Sequence, residues 1–357
     1  MILFKMNDFV KELANIFTHN SIVYYSLFSV RFIVFFLVFT NHLIGFVSRI
    51  LRIDIFANIL QYMQKQTFFN SFILLLTAAI WGFSFVAQRS GMDYVGPYTF
   101  NGIRFALGAL SLVPLYYYLR KKDASKEVKL PNNAVLIKAF LLGGVLFIAA
   151  SLQQIGMIYT TAANGGFITS LYVVLVPFFL LLLNKKISVN VWIGAIIAVI
   201  GLYLLSVRNS LEINIGDALV LLSAVFWAIH VILTGKYASG VNIVLLAIIQ
   251  FVTTSVLSLM IAVVRENILL QSVMDAAIPI VYGGVFSVGI AYTLQIVAQK
   301  KVVAEQAAII LSFESAFAML GGWLILHETV GLRSLVGASL MLIGIIISQI
   351  KWKKKSI

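Results

Sequence analysis

"AAIWGFSFVAQR", residues 78–89, recurs 146 positions later as "AVFWAIHVILTG", residues 224–235. The match sets Trp81 over Trp227, and the same offset sets Arg104-Phe105 over Gln250-Phe251. Further along, "WIGAIIAVIGLYLL" (192–205) lies over "LVGASLMLIGIIIS" (335–348) at an offset of 143, so Gly194 and Gly201 meet Gly337 and Gly344. "GGV" at 143–145 returns at 283–285. A chain that matches itself in this way is built from two homologous halves, here 67–206 and 217–350.

Both halves are apolar. The 357 residues are 61% hydrophobic and only 11% charged, whereas a soluble domain is nearer a quarter charged. Apolar runs long enough to cross about 30 Å of hydrocarbon fall at 68–88, 98–118, 136–158, 163–183, 188–206, 217–236, 243–264, 278–299, 304–326 and 330–350. The expected fold is therefore an all-α integral membrane protein of ten transmembrane helices. Five spans per half is an odd number, so the second half enters the membrane from the opposite side. Inverted repeats of this kind occur in many secondary transporters, where exchanging the conformations of the two halves turns an inward-open cavity outward. A duplicated scaffold or a lipid-acting membrane enzyme is the competing reading.

Lysine and arginine set the orientation. The side that holds the start of the first span collects 16 of them, from Lys65 to Lys355, including the basic tail 351–357. The other side collects Arg89, Arg208, Arg265 and Arg333. The basic side is cytoplasmic by the positive-inside rule, with both ends of the ten-span body there and the plasma membrane as the expected location. The net charge of +13 is thus explained by topology and anionic lipid, with no nucleic-acid partner. Residues 1–62 stay open between three readings: a start of translation at Met63, an extra span at 21–46, or an interfacial helix at 48–63.

"AAIWGFSFVAQRSGMDYVGPYTFNGIRFALGAL" (78–110) and "EQAAIILSFESAFAMLGGWLILHETVGLRSLVGASLMLIGIII" (305–347) resemble the signature stretches of EamA-type transporters of the drug/metabolite transporter superfamily. The resemblance covers about 67–350. It implies ten helices in inverted five-helix repeats, and movement, more often export, of small metabolites such as amino acids. One departure is local. Where the first repeat of the family has a Gly-Glu corner, this chain has "NKKIS" at 184–188, so Glu328 has no counterpart in the first half.

Several residues are polar or aromatic where lipid would forbid it. Arg104 lies roughly 9 Å inside the second span, and Glu314 roughly 15 Å inside the ninth. Charges at such depth are costly and face an interior, water or a partner. Arg104 suits a substrate carboxylate, or else backbone carbonyls and a helix end. Glu314 suits a proton or a cationic group, or else an ion pair with Arg104 or the capping of a broken helix. Trp81, Tyr172 and Trp227 are aromatics away from the interfaces, fit to stack on a substrate or simply to pack. Asn101, Gln154, His230, Gln250 and Tyr292 complete the candidate cavity. Gln153, Asn164 and Gln295 are further neutral polar groups of the kind that also join helices. His327 and Glu328 read as a structural corner rather than a metal site, because no second histidine follows at helical spacing. Gly194, Gly201, Gly337 and Gly344, seven apart in pairs, allow close helix packing within the chain or between copies, so a monomer and a homodimer both remain open.

No phosphate-binding lysine loop, nucleophile elbow or clustered metal ligands occurs in the sequence, and it has no cysteine. The expectation is a non-enzymatic carrier without cofactor or metal. Its partners are a small-molecule substrate, lipid and, as a coupling ion, protons.

Overall fold

The structure, a computed structural model, describes residues 65–122, 133–206, 215–238, 241–325 and 331–349. Residues 1–62, the His327-Glu328 corner and the basic tail lie outside the described residues. The described helices belong to one unit, Met63–Ile357.

Every described element is helical, as it must be where no water can satisfy exposed backbone groups. In chain order they are α1 (Lys65–Gly91), α2 (Pro97–Lys122), α3 (Asn133–Gly156), α4 (Ala162–Leu182), α5 (Val189–Ser206), α6 (Ile215–Tyr237), α7 (Ile243–Arg265), α8 (Ala277–Gln299), α9 (Ala304–Ile325) and α10 (Leu332–Gln349). A short helix, Leu270–Asp275, leads into α8. Eight of the ten are long and apolar enough to cross a membrane. The other two, α5 and α10, carry shorter apolar stretches, Val189–Leu204 and Leu335–Ser348. The polarity of the bundle is inverted relative to a soluble protein. Phe140, Ile196, Leu221 and Val263 are exposed on its outside, while Gln154, His230, Gln250 and Gln295 are fully buried.

Helix bounds repeat with the sequence. α1 ends at Gly91 and α6 at Tyr237, and α2 begins at Pro97 and α7 at Ile243, both pairs 146 apart. α5 and α10 begin and end 143 apart. Between them, from Ser151 to Tyr172 and from Thr293 to Glu314, the offset is 142. At that offset α4 and α9 begin together at Ala162 and Ala304, and both are interrupted at the same place. α4 breaks at Leu171 and α9 at Ser312-Phe313, each through tight turns such as Val174 N–H to Leu171 O (3.1 Å) and Ala316 N–H to Phe313 O (3.0 Å).

α8 differs from its twin α3. Five residues, 146–150, follow "GGV" in α3 before the 142 register begins, and seven, 286–292, follow it in α8. The two extra residues are taken up by a π-helical stretch, Tyr282–Tyr292. Bonding i to i+5 uses about one residue more per turn than the α-helix, so two to three π turns absorb two residues and return the later side chains to phase.

Three pairs of twin helices touch each other, which places them on the axis relating the halves. In α5 and α10, Gly194 meets Gly344, and Gly201 meets Gly337. A Cβ on Gly194 would stand 2.6 Å from Gly344 O, and one on Gly201 2.6 Å from Gly337 O. The glycine contact is therefore made inside this chain. As the residue number rises along α5 it falls along α10, so twin helices run antiparallel. α2 and α7 do the same, with Ser255 Oγ donating to Gly102 O (2.8 Å) and the Phe105 and Phe251 rings 6.1 Å apart. α4 and α9 cross at their breaks, where Ser170 Oγ donates to Ser312 O at 3.0 Å. The two repeats are inverted, with the two-fold axis running through these three contacts and across the helices.

Two ends are pinned by short polar groups. Glu266, just past α7, accepts from Tyr98 N–H (2.9 Å) and Thr99 N–H (2.8 Å), so its carboxylate caps the start of α2. Asn184 closes α4 in a left-handed conformation, φ 56°, that asparagine tolerates better than most residues. It stands where the family resemblance leads one to expect glycine.

Candidate functional site: a cavity between the repeats

A cavity lies where the halves face each other. Its wall takes Trp81, Phe85 and Gln88 from α1, Arg104 from α2 and Gln153 from α3, with Thr169 and Tyr172 from α4. Trp227 and Val231 come from α6, Ser287, Tyr292 and Gln295 from α8, and Glu314 from α9. Both repeats contribute, and several contributors are twins: Trp81 with Trp227, Phe85 with Val231, Gln153 with Gln295 and Tyr172 with Glu314. The cavity is small, about 30 Å³. That is room for a few waters.

Aromatic rings shape it. Tyr292 sits 4.7 Å from Trp81 and 6.1 Å from Trp227, ring centre to ring centre. It is 6.2 Å from Phe105 and 5.8 Å from Phe251. Those four are two pairs of twins, so Tyr292 lies near the two-fold axis. It is carried by the seven-residue stretch that α3 matches with only five. The indoles donate to opposite repeats: Trp81 Nε1 to Ser287 O at 3.2 Å, and Trp227 Nε1 to Gln153 Oε1 at 2.7 Å.

The two deep charges share the cavity. Arg104 Nε donates to Asn101 Oδ1 (3.0 Å), and the guanidinium lies 5.3 Å from the Phe100 ring centre and 5.1 Å from that of Phe105. Asn101 in turn donates to Ala150 O (3.0 Å), which fixes the side chain that holds the arginine. No ion pair joins Arg104 to Glu314. Glu314 opens the second segment of α9, at a helix N-terminus that favours a negative charge. Tyr172 and Ser170 are turned to its carboxylate, yet Glu314 Oε1 and the Tyr172 hydroxyl complete no hydrogen bond. Both amide atoms of Gln295 are equally without partners.

Of the residues named from sequence, Trp81, Arg104, Tyr172, Trp227, Tyr292 and Glu314 meet around this cavity. Gln153 and Gln295, named as polar groups that join helices, line it too, whereas Asn101, Gln154, His230 and Gln250 stand behind it. Asn101 supports Arg104. Gln154 Nε2 donates to Gln88 O (3.1 Å), and His230 Nε2 pairs with Gln250 Oε1 (3.1 Å). Phe85, Gln88, Thr169, Val231 and Ser287 line the wall without having stood out in the sequence, although Phe85 and Val231 are an aligned pair in the opening repeat. Among the described residues no group of three or more metal-ligating side chains occurs.

Comparison with known proteins agrees with this architecture. The EamA-like transporter family matches twice, over 69–207 and 214–349. An "Uncharacterized transporter" of Archaeoglobus fulgidus is 30% identical over 78% of this chain and 85% of its own. "Uncharacterized transporter YoaV" of Bacillus subtilis is 23% identical over 80% of this chain and 98% of its own. A solved crystal structure shares the fold with a TM-score of 0.64 and 15% identity, over 78% of this chain and 95% of that one. The chain is a multi-pass membrane protein of two repeats, and it belongs to the EamA-like transporter family.

Proposed function

We propose that the protein is a secondary transporter that carries a small organic metabolite, such as an amino acid, by alternating access. One observation supports this reading above the rest. Arg104 and Glu314 face one cavity between inverted repeats and are not paired with each other. A solute bearing an anionic and a cationic group answers both charges at once. Glu314 Oε1, the Tyr172 hydroxyl and the Gln295 amide offer unused hydrogen-bonding atoms around it. The aromatic rings of Trp81, Tyr292 and Trp227 supply a stacking surface. The breaks in α4 and α9 fit the discontinuous helices that form binding sites at the midplane of many transporters.

The direction is export from the cell, across the plasma membrane, with both ends of the helical body cytoplasmic on the charge count. Protons or the solute gradient supply the energy. A lipid-acting enzyme needs a base with a nucleophile or metal ligands near one interface, and the polar groups here gather around a central cavity instead. The test is uptake by proteoliposomes offered an isotopically labelled extract of cell metabolites. Protein-dependent retention of one or a few small polar compounds, reduced at least tenfold by Arg104→Gln, is the expected result. No retention above empty liposomes overturns the reading.

A further inference from the structure

Gln153 and Gln295 are twins at the offset of 142, and both line the cavity. They stand in different states. Both amide atoms of Gln153 are bonded. Its Oε1 accepts from Trp227 Nε1 (2.7 Å) and Thr169 Oγ1 (3.4 Å), and its Nε2 donates to Gln88 Oε1 (2.8 Å). The Gln295 amide is fully buried and bonded to nothing.

Two of the three partners that Gln295 lacks are nonetheless present as the images of those that Gln153 has, while Thr169 is imaged by Leu311, which has no hydroxyl. Trp81 is the twin of Trp227, and Thr234, at the offset of 146, is the twin of Gln88. Trp81 spends its indole N–H on Ser287 O in the π-helical stretch of α8 (3.2 Å). The Thr234 hydroxyl is buried without a partner. Three unbonded atoms, Gln295 Oε1, Gln295 Nε2 and Thr234 Oγ1, thus mirror three bonded ones. Buried polar groups are rarely left unmade, and three that are images of bonded groups point to a second conformation in which they are used.

We propose that these are alternative networks. Gln153–Trp227–Gln88 closes in the conformation described here, Gln295–Trp81–Thr234 closes in the one that opens to the other side, and the two glutamines are the positioning residues of the switch. The inference rests on the transport reading, since exchange of conformations between inverted halves is what makes the second network. For it to form, Trp81 leaves Ser287 O and reaches toward Gln295, two turns further along α8. The two extra residues of α8 supply the slack. Tyr292, between the two indoles, links the departure of one to the arrival of the other.

The chain has no cysteine, so Val231→Cys carries a single thiol in the cavity wall. Its rate of labelling by a charged, membrane-impermeant methanethiosulfonate is measured in oriented vesicles from a chosen face. Gln153→Leu removes the closed network and Gln295→Leu removes the unmade one. The expected result is a shift of the labelling rate in opposite directions, leaving the two variants on the order of tenfold apart. Phe85→Cys, the twin position, labelled from the opposite face, gives the mirror image. Shifts in the same direction, or no shift in either variant, overturn the switch. Gln88→Leu and Thr234→Val repeat the comparison should a glutamine variant fail to fold. Uptake of the labelled metabolite extract in the same preparations separates the two claims. Uptake without opposed shifts refutes the switch alone, and no protein-dependent uptake refutes the transport reading beneath it.

Discussion

At the level of single residues, Gly194 and Gly344 carry a constraint that can be checked against stability. Either side chain, if extended by one carbon, drives Cβ to 2.6 Å from the opposite carbonyl oxygen. Backbone on both sides leaves nothing flexible to move aside. Gly194→Val or Gly344→Val should lower stability by about 2 kcal/mol or more, read as a drop in melting temperature in detergent. Asn184 offers the opposite kind of substitution. Its left-handed φ of 56° suits glycine, so Asn184→Gly should be neutral or slightly stabilising, whereas Asn184→Val should cost about 1–2 kcal/mol. Glu314 is the residue whose role is most exposed to a functional test. If it carries the coupling proton, Glu314→Gln abolishes the pH dependence of uptake measured at two pH values. Full uptake with an unchanged pH profile removes Glu314 from coupling.

At the level of helices, much was readable from the chain. α1 was expected at 68–88 and spans Lys65–Gly91, and α7 was expected at 243–264 and spans Ile243–Arg265. Apolar length is a strong signal because lipid gives the backbone no alternative. The break in α4 is not readable, since neither glycine nor proline stands at Leu171. That in α9 is legible only as one alternative for Glu314, the cap of a broken helix. The two breaks meet at the axis, through Ser170 and Ser312. The π-helical stretch of α8 leaves a trace in the sequence: the self-matches at 140 and 143 disagree, and two of those three residues are the insertion in α8. That origin yields a prediction. Deleting two residues, Val288 and Gly289, should straighten α8 yet keep Gln295 in phase and the protein folded. Deleting a third, Ile290, exhausts the slack and rotates Gln295 by about 100°, which size-exclusion profiles and melting temperature would register.

The cavity wall was only partly legible for a related physical reason. A helix apolar on all sides does not announce which face it buries. Gln153 and Gln295 could be seen as polar residues inside spans, but not separated from the polar groups that merely join helices, such as His230 and Gln250. What distinguishes them is their place in the cavity wall, which only the folded chain displays.

At the level of the whole molecule, antiparallel contact between twin helices is what gives the repeats their consequence. A parallel duplication has its axis along the membrane normal and leaves the two faces of the membrane inequivalent. An inverted one, on the proposed reading, makes a site on the axis reachable from either side by exchanging the conformations of the halves. A carrier of this kind exposes its cavity to one side at a time, so solute on the far side speeds the return of the empty site. The most direct measurement is counterflow in proteoliposomes, using the compound retained from the labelled extract. Vesicles loaded with the unlabelled compound should take up the labelled compound several-fold faster than empty vesicles and transiently accumulate it above the outside concentration. Uptake that is indifferent to the load, rising only to equilibration, would contradict alternating access through this cavity.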